Sequence, residues 1–197
     1  MRHGSSTRGA ILYLSYDGIL EPLGESQVLS YVERLSADYD ITLISFEKRD
    51  DTSKENRFLK FKTRLKESGI CWYPLCYHKT PPVLSTAYDV ARAWWCAVRW
   101  RRRNPSGIAH ARGYVAGLVA LFIKQRGRIR FLFDMRGFWP EEKIEAGHWA
   151  KSSISYRMAK WCERRFFERS DAIVSLTEAG VGQFKELGYK IDPNLPV

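Results

Sequence analysis

The sequence predicts an α/β fold: a Rossmann-like domain with a mostly parallel sheet and helices on both faces. Two observations carry that prediction. Short β-rich apolar runs recur along the chain, each followed by a segment whose apolar residues fall at helical intervals. Such alternation is the pattern of parallel strands joined by crossover helices. The composition agrees, because 197 residues with 45% apolar and 27% charged side chains suit one globular domain and exclude a disordered or fibrous chain. Seven Trp, ten Tyr and ten Phe supply the apolar area of one sizeable core.

Strands are expected at Ala10 to Ser15, Ile41 to Phe46, Ile70 to Leu75, Ile108 to Ala111, Ile129 to Asp134 and Ala172 to Leu176. Between them, Ser26 to Leu35 keeps Val28, Leu29, Val32 and Leu35 at helical spacing, and Val115 to Ile123 is nearly apolar throughout, as befits a helix lying on a sheet. Asp51 to Ser68 is charged, with Phe58, Leu59, Phe61 and Leu65 as its expected buried stripe. The longest apolar runs are about half of the ~20 residues needed to span a bilayer, so no transmembrane helix is expected. The polar start, Met1 to Arg8, does not read as a secretory signal. Cys71, Cys76, Cys96 and Cys162 lie far apart, without the paired spacing of a zinc site or the density of a disulfide scaffold. Reduced, mostly buried thiols in a cytoplasmic protein are expected.

Parallel strands gather the loops that follow them along one edge, where ligands of such folds bind. The loop after the first strand carries Gly18 and Gly24. They suit either a backbone that approaches a phosphate at a helix start or a plain strand-to-helix turn. Their spacing is neither a dinucleotide fingerprint nor a P-loop, which argues against a dehydrogenase or a P-loop ATPase. His110 and Arg112 stand two apart at one strand end, as do Asp134 and Arg136 at the next. If those strands are neighbours, the four groups line one wall of the crevice, or Asp134 simply pairs with an arginine there. Glu141, Glu142 and Glu145 follow Pro140, which suits the first turn of a helix.

Four segments together resemble the N-terminal domain of glycosyltransferase family 4, a group of retaining enzymes of the GT-B fold: Asp17 to Gln27, His110 to Tyr114, Phe133 to Trp139 and Asp171 to Ala179. The resemblance runs from about Ala10 to Leu187. It implies that residues 10–188 form an acceptor-side Rossmann-like domain, after a flexible N-terminus at 1–9, and that 189–197 begin the connection to a C-terminal donor-binding domain not contained in the chain. It further implies a hexosyltransferase-type reaction with a nucleotide-sugar as substrate, a glycan or lipid-linked acceptor, and no metal or cofactor. Gly24, with Gly18, would approach the donor diphosphate. Arg112 and Arg136 stand where many relatives carry histidine or another polar residue, in roles open between acceptor positioning and charge stabilisation. His110, Asp134, Glu141, Glu142, Thr177 and Glu178 would line the acceptor side or the cleft. A role in cell-surface polysaccharide or glycolipid assembly is expected, with inactivity of this chain alone. The alternative is a non-catalytic binding or regulatory module on the same scaffold.

Thirty-two Lys and Arg against 22 Asp and Glu leave a net charge of +10. In the expected helix Ala87 to Arg102, Arg92, Arg99 and Arg101 to Arg103 alternate with Trp94, Trp95 and Trp100. This mixture suits an anionic membrane surface or an ordinary amphipathic helix with solvated arginines; the resemblance favours the membrane and implies a peripheral position at its inner face. A second basic helix, with Lys151, Arg157, Lys160, Arg164, Arg165 and Arg169 beside Trp149, Trp161, Phe166 and Phe167, reads as an ordinary amphipathic helix packed on the sheet. Nucleic acid is not expected as a partner, because no recognised binding motif accompanies the charge.

Overall fold

Among the described residues six parallel strands form one sheet in the order β3-β2-β1-β4-β5-β6. They are β1 Gly9–Ser15, β2 Tyr39–Glu47, β3 Cys71–Cys76, β4 Ile108–Arg112, β5 Arg130–Met135 and β6 Ala172–Ser175. The computed structural model describes residues 8–125, 128–187 and 196. All six expected strands are present, with ends displaced by a residue or two: Ile70, Ile129 and Leu176 fall just outside, and Gly9 already pairs with Tyr39. Gly9 therefore belongs to the sheet and not to a flexible leader. The expected boundaries at 1–7 and at 188–195 lie outside the described residues.

Strand alternation divides the core in two. Leu12, Leu14, Ala109, Ala111, Phe131 and Phe133 belong to one cluster, while Ile11, Tyr13, Ile41 and Leu43 belong to the other. The first face is covered by α5 Pro82–Arg103, α6 Gly113–Lys124 and α8 Ile154–Arg169, with α6 between its two neighbours. Gly117 makes that packing possible, since a Cβ there would stand 3.0 Å from the Phe166 ring. The second face is covered by α4 Glu55–Glu67 and by a continuous helical stretch at 22–35. That stretch comprises α1 Pro22–Gly24, a π-helical turn at Glu25–Leu29 and α2 Ser30–Leu35. Short helices α3 Arg49–Thr52, α7 Trp139–Glu145 and α9 Glu178–Glu186 complete the layers.

Several expectations of burial need correction. On α4, Phe61 and Leu65 are buried and Phe58 packs on the core, but Leu59 is 49% exposed because it falls on the opposite side of the helix. Among the cysteines Cys71 is exposed and the others are half-buried; all four are free thiols. On α5, Ala93, Ala97 and Trp100 form the buried face, so Trp100 is core, whereas Trp95 is 56% exposed. On α8, Phe166 and Phe167 pack inward as expected, yet Ile154, Met158 and Trp161 are exposed.

Candidate functional site

The strand order reverses between the adjacent strands β1 and β4, and such a switch point opens a crevice at the strand ends. The register sets Arg112 beside both Ser15 of β1 and Asp134 of β5, and His110 beside Tyr13. Residues two apart on a strand share a face, so His110, Arg112 and Asp134 emerge on one side of the sheet. Asp134 is the shared carboxylate: His110 Nε2 lies 3.7 Å away, Arg112 Nη1 3.9 Å and Arg136 Nη1 3.8 Å. Asp17 Oδ2 stands 3.6 Å from Arg112 Nε. His110, Arg112 and Asp134 are all buried. Tyr13 lies against the His110 ring at 4.4 Å and Tyr31 meets it edge-on at 5.6 Å. Burial, reinforced by Asp134, pushes the Tyr13 hydroxyl far above its ordinary range, so it stays protonated and neutral.

Gln27 completes this cluster. Its Oε1 accepts from Arg112 Nη2 at 2.5 Å and from Arg136 Nη2 at 2.8 Å. It sits in the π-helical turn one helical step from Tyr31, which places both over the polar strand ends. The first-loop motif includes Gln27, but nothing in the sequence marks it as the bridge between two arginines.

Glu47, at the end of β2, is a second missed residue. It is buried, and its carboxylate accepts from Ile19 N at 3.0 Å, Leu20 N at 3.1 Å and Ser45 Oγ at 2.5 Å. The protein's own anion thus occupies backbone N–H groups of the first loop. Gly18 fits beneath it, since a Cβ there would stand 2.7 Å from Glu47 Oε2. Gly24 is buried against Gly18, and a Cβ on Gly24 would overlap the Gly18 carbonyl oxygen. Both glycines are required by this packing.

Beside the arginines opens a cleft of about 520 Å³, walled by Tyr16, Tyr77, Tyr114 and Trp139 and edged by Asp17, Arg112, Arg136, Glu142 and Lys143. The Tyr16 hydroxyl donates to Asp89 at 3.2 Å, and burial pushes its pKa up to about 12. His78 Nδ1 meets the other oxygen of the buried Asp89 at 2.6 Å. Arg136 and Gly137 separate this cleft from a second hollow of about 320 Å³, which Thr177 lines. Thr177 also caps α9, its side chain accepting from Gly180 N. Glu178 is exposed in the first turn of α9. Glu141 is directed elsewhere, pairing with Lys160 at 2.9 Å and accepting from Tyr156 on α8. The structure therefore brings His110, Arg112, Asp134, Arg136 and Glu142 to one crevice, and leaves Glu141 and Glu178 outside its lining.

A doubly wound sheet with an aromatic-walled cleft at its switch point defines a Rossmann-like α/β domain. The chain belongs to the glycosyl transferase 4-like domain family, whose model matches residues 24–197. Among solved structures it is similar to sucrose-phosphate synthase from Thermosynechococcus elongatus, with a TM-score of 0.60 at 9% identity over 93% of this chain. The chain spans about half of that structure, 46% of its length. A search of curated proteins found no match. The fold is the Rossmann-like α/β architecture that the sequence resemblance implies.

Proposed function

We propose that the chain is the acceptor-binding part of a nucleotide-sugar-dependent, hexosyltransferase-type glycosyltransferase acting with retention in cell-surface polysaccharide or glycolipid assembly. The observation that carries this reading is the cleft itself. Four aromatic rings offer flat apolar walls to a sugar, and two arginines stand at one end, where they would grip polar groups of an acceptor. As the donor's anomeric C–O bond breaks, the electron pair goes to the leaving phosphate oxygen. The acceptor hydroxyl attacks from the same side, and its proton passes to that departing oxygen. Arg112 and Arg136, at one end of the cleft, would hold the acceptor in position for that attack.

The described residues build one wall of such a site, so the purified chain should show no measurable transfer and only weak affinity for nucleotide-sugars. Titrating the chain with simple methyl glycosides by NMR tests the reading. Signals of Tyr16, Tyr77, Tyr114 and Trp139 should shift together, and Tyr77→Ala should weaken binding. Glycosides that bind elsewhere or not at all would refute the cleft, and robust transfer by the chain alone would refute the one-walled site.

The surface supports a cytoplasmic position at an anionic bilayer. Leu84, Tyr88, Trp95 and Arg99 form one exposed stripe along α5, and Ile154, Met158 and Trp161, with half-buried Arg165, form another on α8. Arg99 lies over Trp95 at 5.3 Å and Arg165 over Trp161 at 5.5 Å. Both helices start at the crevice edge and pack on the same face of the sheet, on either side of α6. The first turns of α5 reach the cleft, where Thr86 lines it, while the arginines of both helices lie toward their far ends. A bilayer along this face would present a lipid-linked acceptor beside Thr86, which lines the cleft. No helix among the described residues is long and apolar enough to cross a membrane.

A further inference from the structure

Two guanidinium groups share one neutral oxygen at the centre of the crevice. The Gln27 amide oxygen receives both short hydrogen bonds, whereas the nearest carboxylate oxygens, on Asp17 and Asp134, stand 3.6 to 3.9 Å from the arginines. The guanidinium charge already assists both bonds to Gln27, and an anionic oxygen in the same place would add the attraction of opposite charges. An amide oxygen reproduces the position of an anionic oxygen but supplies only a partial charge. Arg112 is buried, and its Nε has no hydrogen-bond partner among the described residues. Among the described residues the only buried carboxylate paired with these arginines is Asp134, because the Asp17 side chain is 65% exposed. Gln27 is itself exposed, so it can leave the arginines without opening the core.

We propose that Arg112 and Arg136 form an oxyanion subsite for the acceptor, in which a phosphoryl or carboxylate oxygen borne by the acceptor replaces the Gln27 amide oxygen. This deepens, and rests on, the reading of the cleft as an acceptor site. The arginines open into the compartment walled by Tyr16, Tyr114 and Trp139, where the sugar rings of such an acceptor would stack. A donor diphosphate has the same oxyanion chemistry. In the first loop, where the sequence resemblance puts the donor diphosphate, the Ile19 and Leu20 amides are already engaged by Glu47. That occupancy favours the acceptor as the source.

The test is an NMR titration of the 197-residue chain at constant ionic strength. The probes are methyl phosphate, UDP and methyl glucoside, with chloride as control. Methyl phosphate should shift the side-chain signals of Arg112, Arg136 and Gln27 well before chloride does. Arg136→Gln should weaken methyl phosphate binding about tenfold, as expected for loss of one charge-assisted bond. Gln27→Ala, which frees both arginines, should hold or raise that affinity. Gln27→Glu, which places a carboxylate between them, should reduce it by about tenfold or more while raising the Tm. That opposed pair separates an anion site from a merely structural bridge, and circular dichroism checks that each variant is folded. Methyl phosphate that acts like chloride, or a Gln27→Glu variant that binds it as well as the parent chain, would overturn the subsite. UDP saturating the arginine signals more tightly than methyl phosphate would give the corner to the donor and overturn the acceptor assignment. Methyl glucoside shifting Tyr16 and Trp139 while phosphate leaves the arginines unmoved would keep the cleft and reject the subsite alone. Phosphate binding without any glycoside binding would reject the acceptor cleft.

Discussion

A buried carboxylate can organise a loop and resent its own charge, and Glu47 does both. Burial raises its carboxyl above the ordinary 4.5 even though Ser45, Ile19 and Leu20 hydrogen-bond to it and pull the other way. A group more easily protonated in the folded than in the unfolded chain contributes stability that is fully present below the unfolded value and is lost as pH rises through the folded one. Urea unfolding of the parent chain and Glu47→Gln should therefore diverge in the parent's favour as pH falls from 7 toward 4.5. A pH-independent difference would show that the carboxyl titrates alike in both states. Glu47→Ala should cost about 1–3 kcal/mol, because it leaves two backbone donors without an acceptor. Amide exchange at Ile19 and Leu20 should quicken in the same variant.

The glycines give a matched pair at this scale. Gly113 has a φ of +76° and no atom within 4 Å of an added Cβ, whereas Gly24 has an ordinary φ of −65° and no room at all. Gly113→Ala should cost about 1–2 kcal/mol in backbone strain alone. Gly24→Ala should cost more, about 2–4 kcal/mol, because the first loop must move as a unit. Thermal melts that rank the two in the reverse order would contradict the packing described for Gly18 and Gly24. The sequence singles out both loop glycines, since glycine at a strand end is conspicuous. It cannot show that Glu47 and Gln27 matter, because their partners come from other elements: Ile19 is 28 positions from Glu47, and Arg112 is 85 positions from Gln27.

Among the elements, strands were legible because β-branched and aromatic runs between polar turns leave few alternatives, and α6 was legible because a helix covered on most sides must be apolar on most sides. Trp100 was misread for a specific reason. Its identity as an interface-loving residue outweighed its spacing, although Ala93, Ala97 and Trp100 keep one helical face and the indole packs over Gly107. The exposed stripes of α5 and α8 now give the membrane prediction its geometry. Replacing Arg99, Arg101, Arg102 and Arg103 by Gln should weaken co-sedimentation with anionic vesicles at low salt, each cation near the surface being worth up to about 1 kcal/mol. Trp95→Ala and Trp161→Ala should each reduce binding, and the double variant more than either, since the two rings sit on separate helices of one face. Equal binding to neutral and anionic vesicles would return the excess charge to solubility.

The sheet separates a larger core beneath α5, α6 and α8 from a smaller one beneath α2 and α4. Smaller apolar contact implies a lower free energy of local opening. Native-state hydrogen exchange in mild denaturant should show α4 opening with a lower free energy than β4, β5 and α6. A single opening energy for every amide would mean that the two layers unfold as one. The expectation of helices on both faces was thus correct, while the inequality of the two layers depends on three-dimensional contacts that spacing does not express.

The strand order also assigns the two flanks of the crevice to two uninterrupted lengths of polypeptide. β1, β2 and β3 all precede Asn104, and β4, β5 and β6 all follow Gly107, with Pro105 and Ser106 exposed between them. A break in that turn would leave each piece with three contiguous strands. The ladder from Ile11 beside Ile108 to Ser15 beside Arg112 would become a joint between two molecules. Fragment complementation follows: pieces 1–105 and 106–197, produced together, should assemble and co-purify. Gln27 would then reach Arg112 and Arg136 across a chain boundary, making anion binding a property of the reunited pair and of neither piece alone.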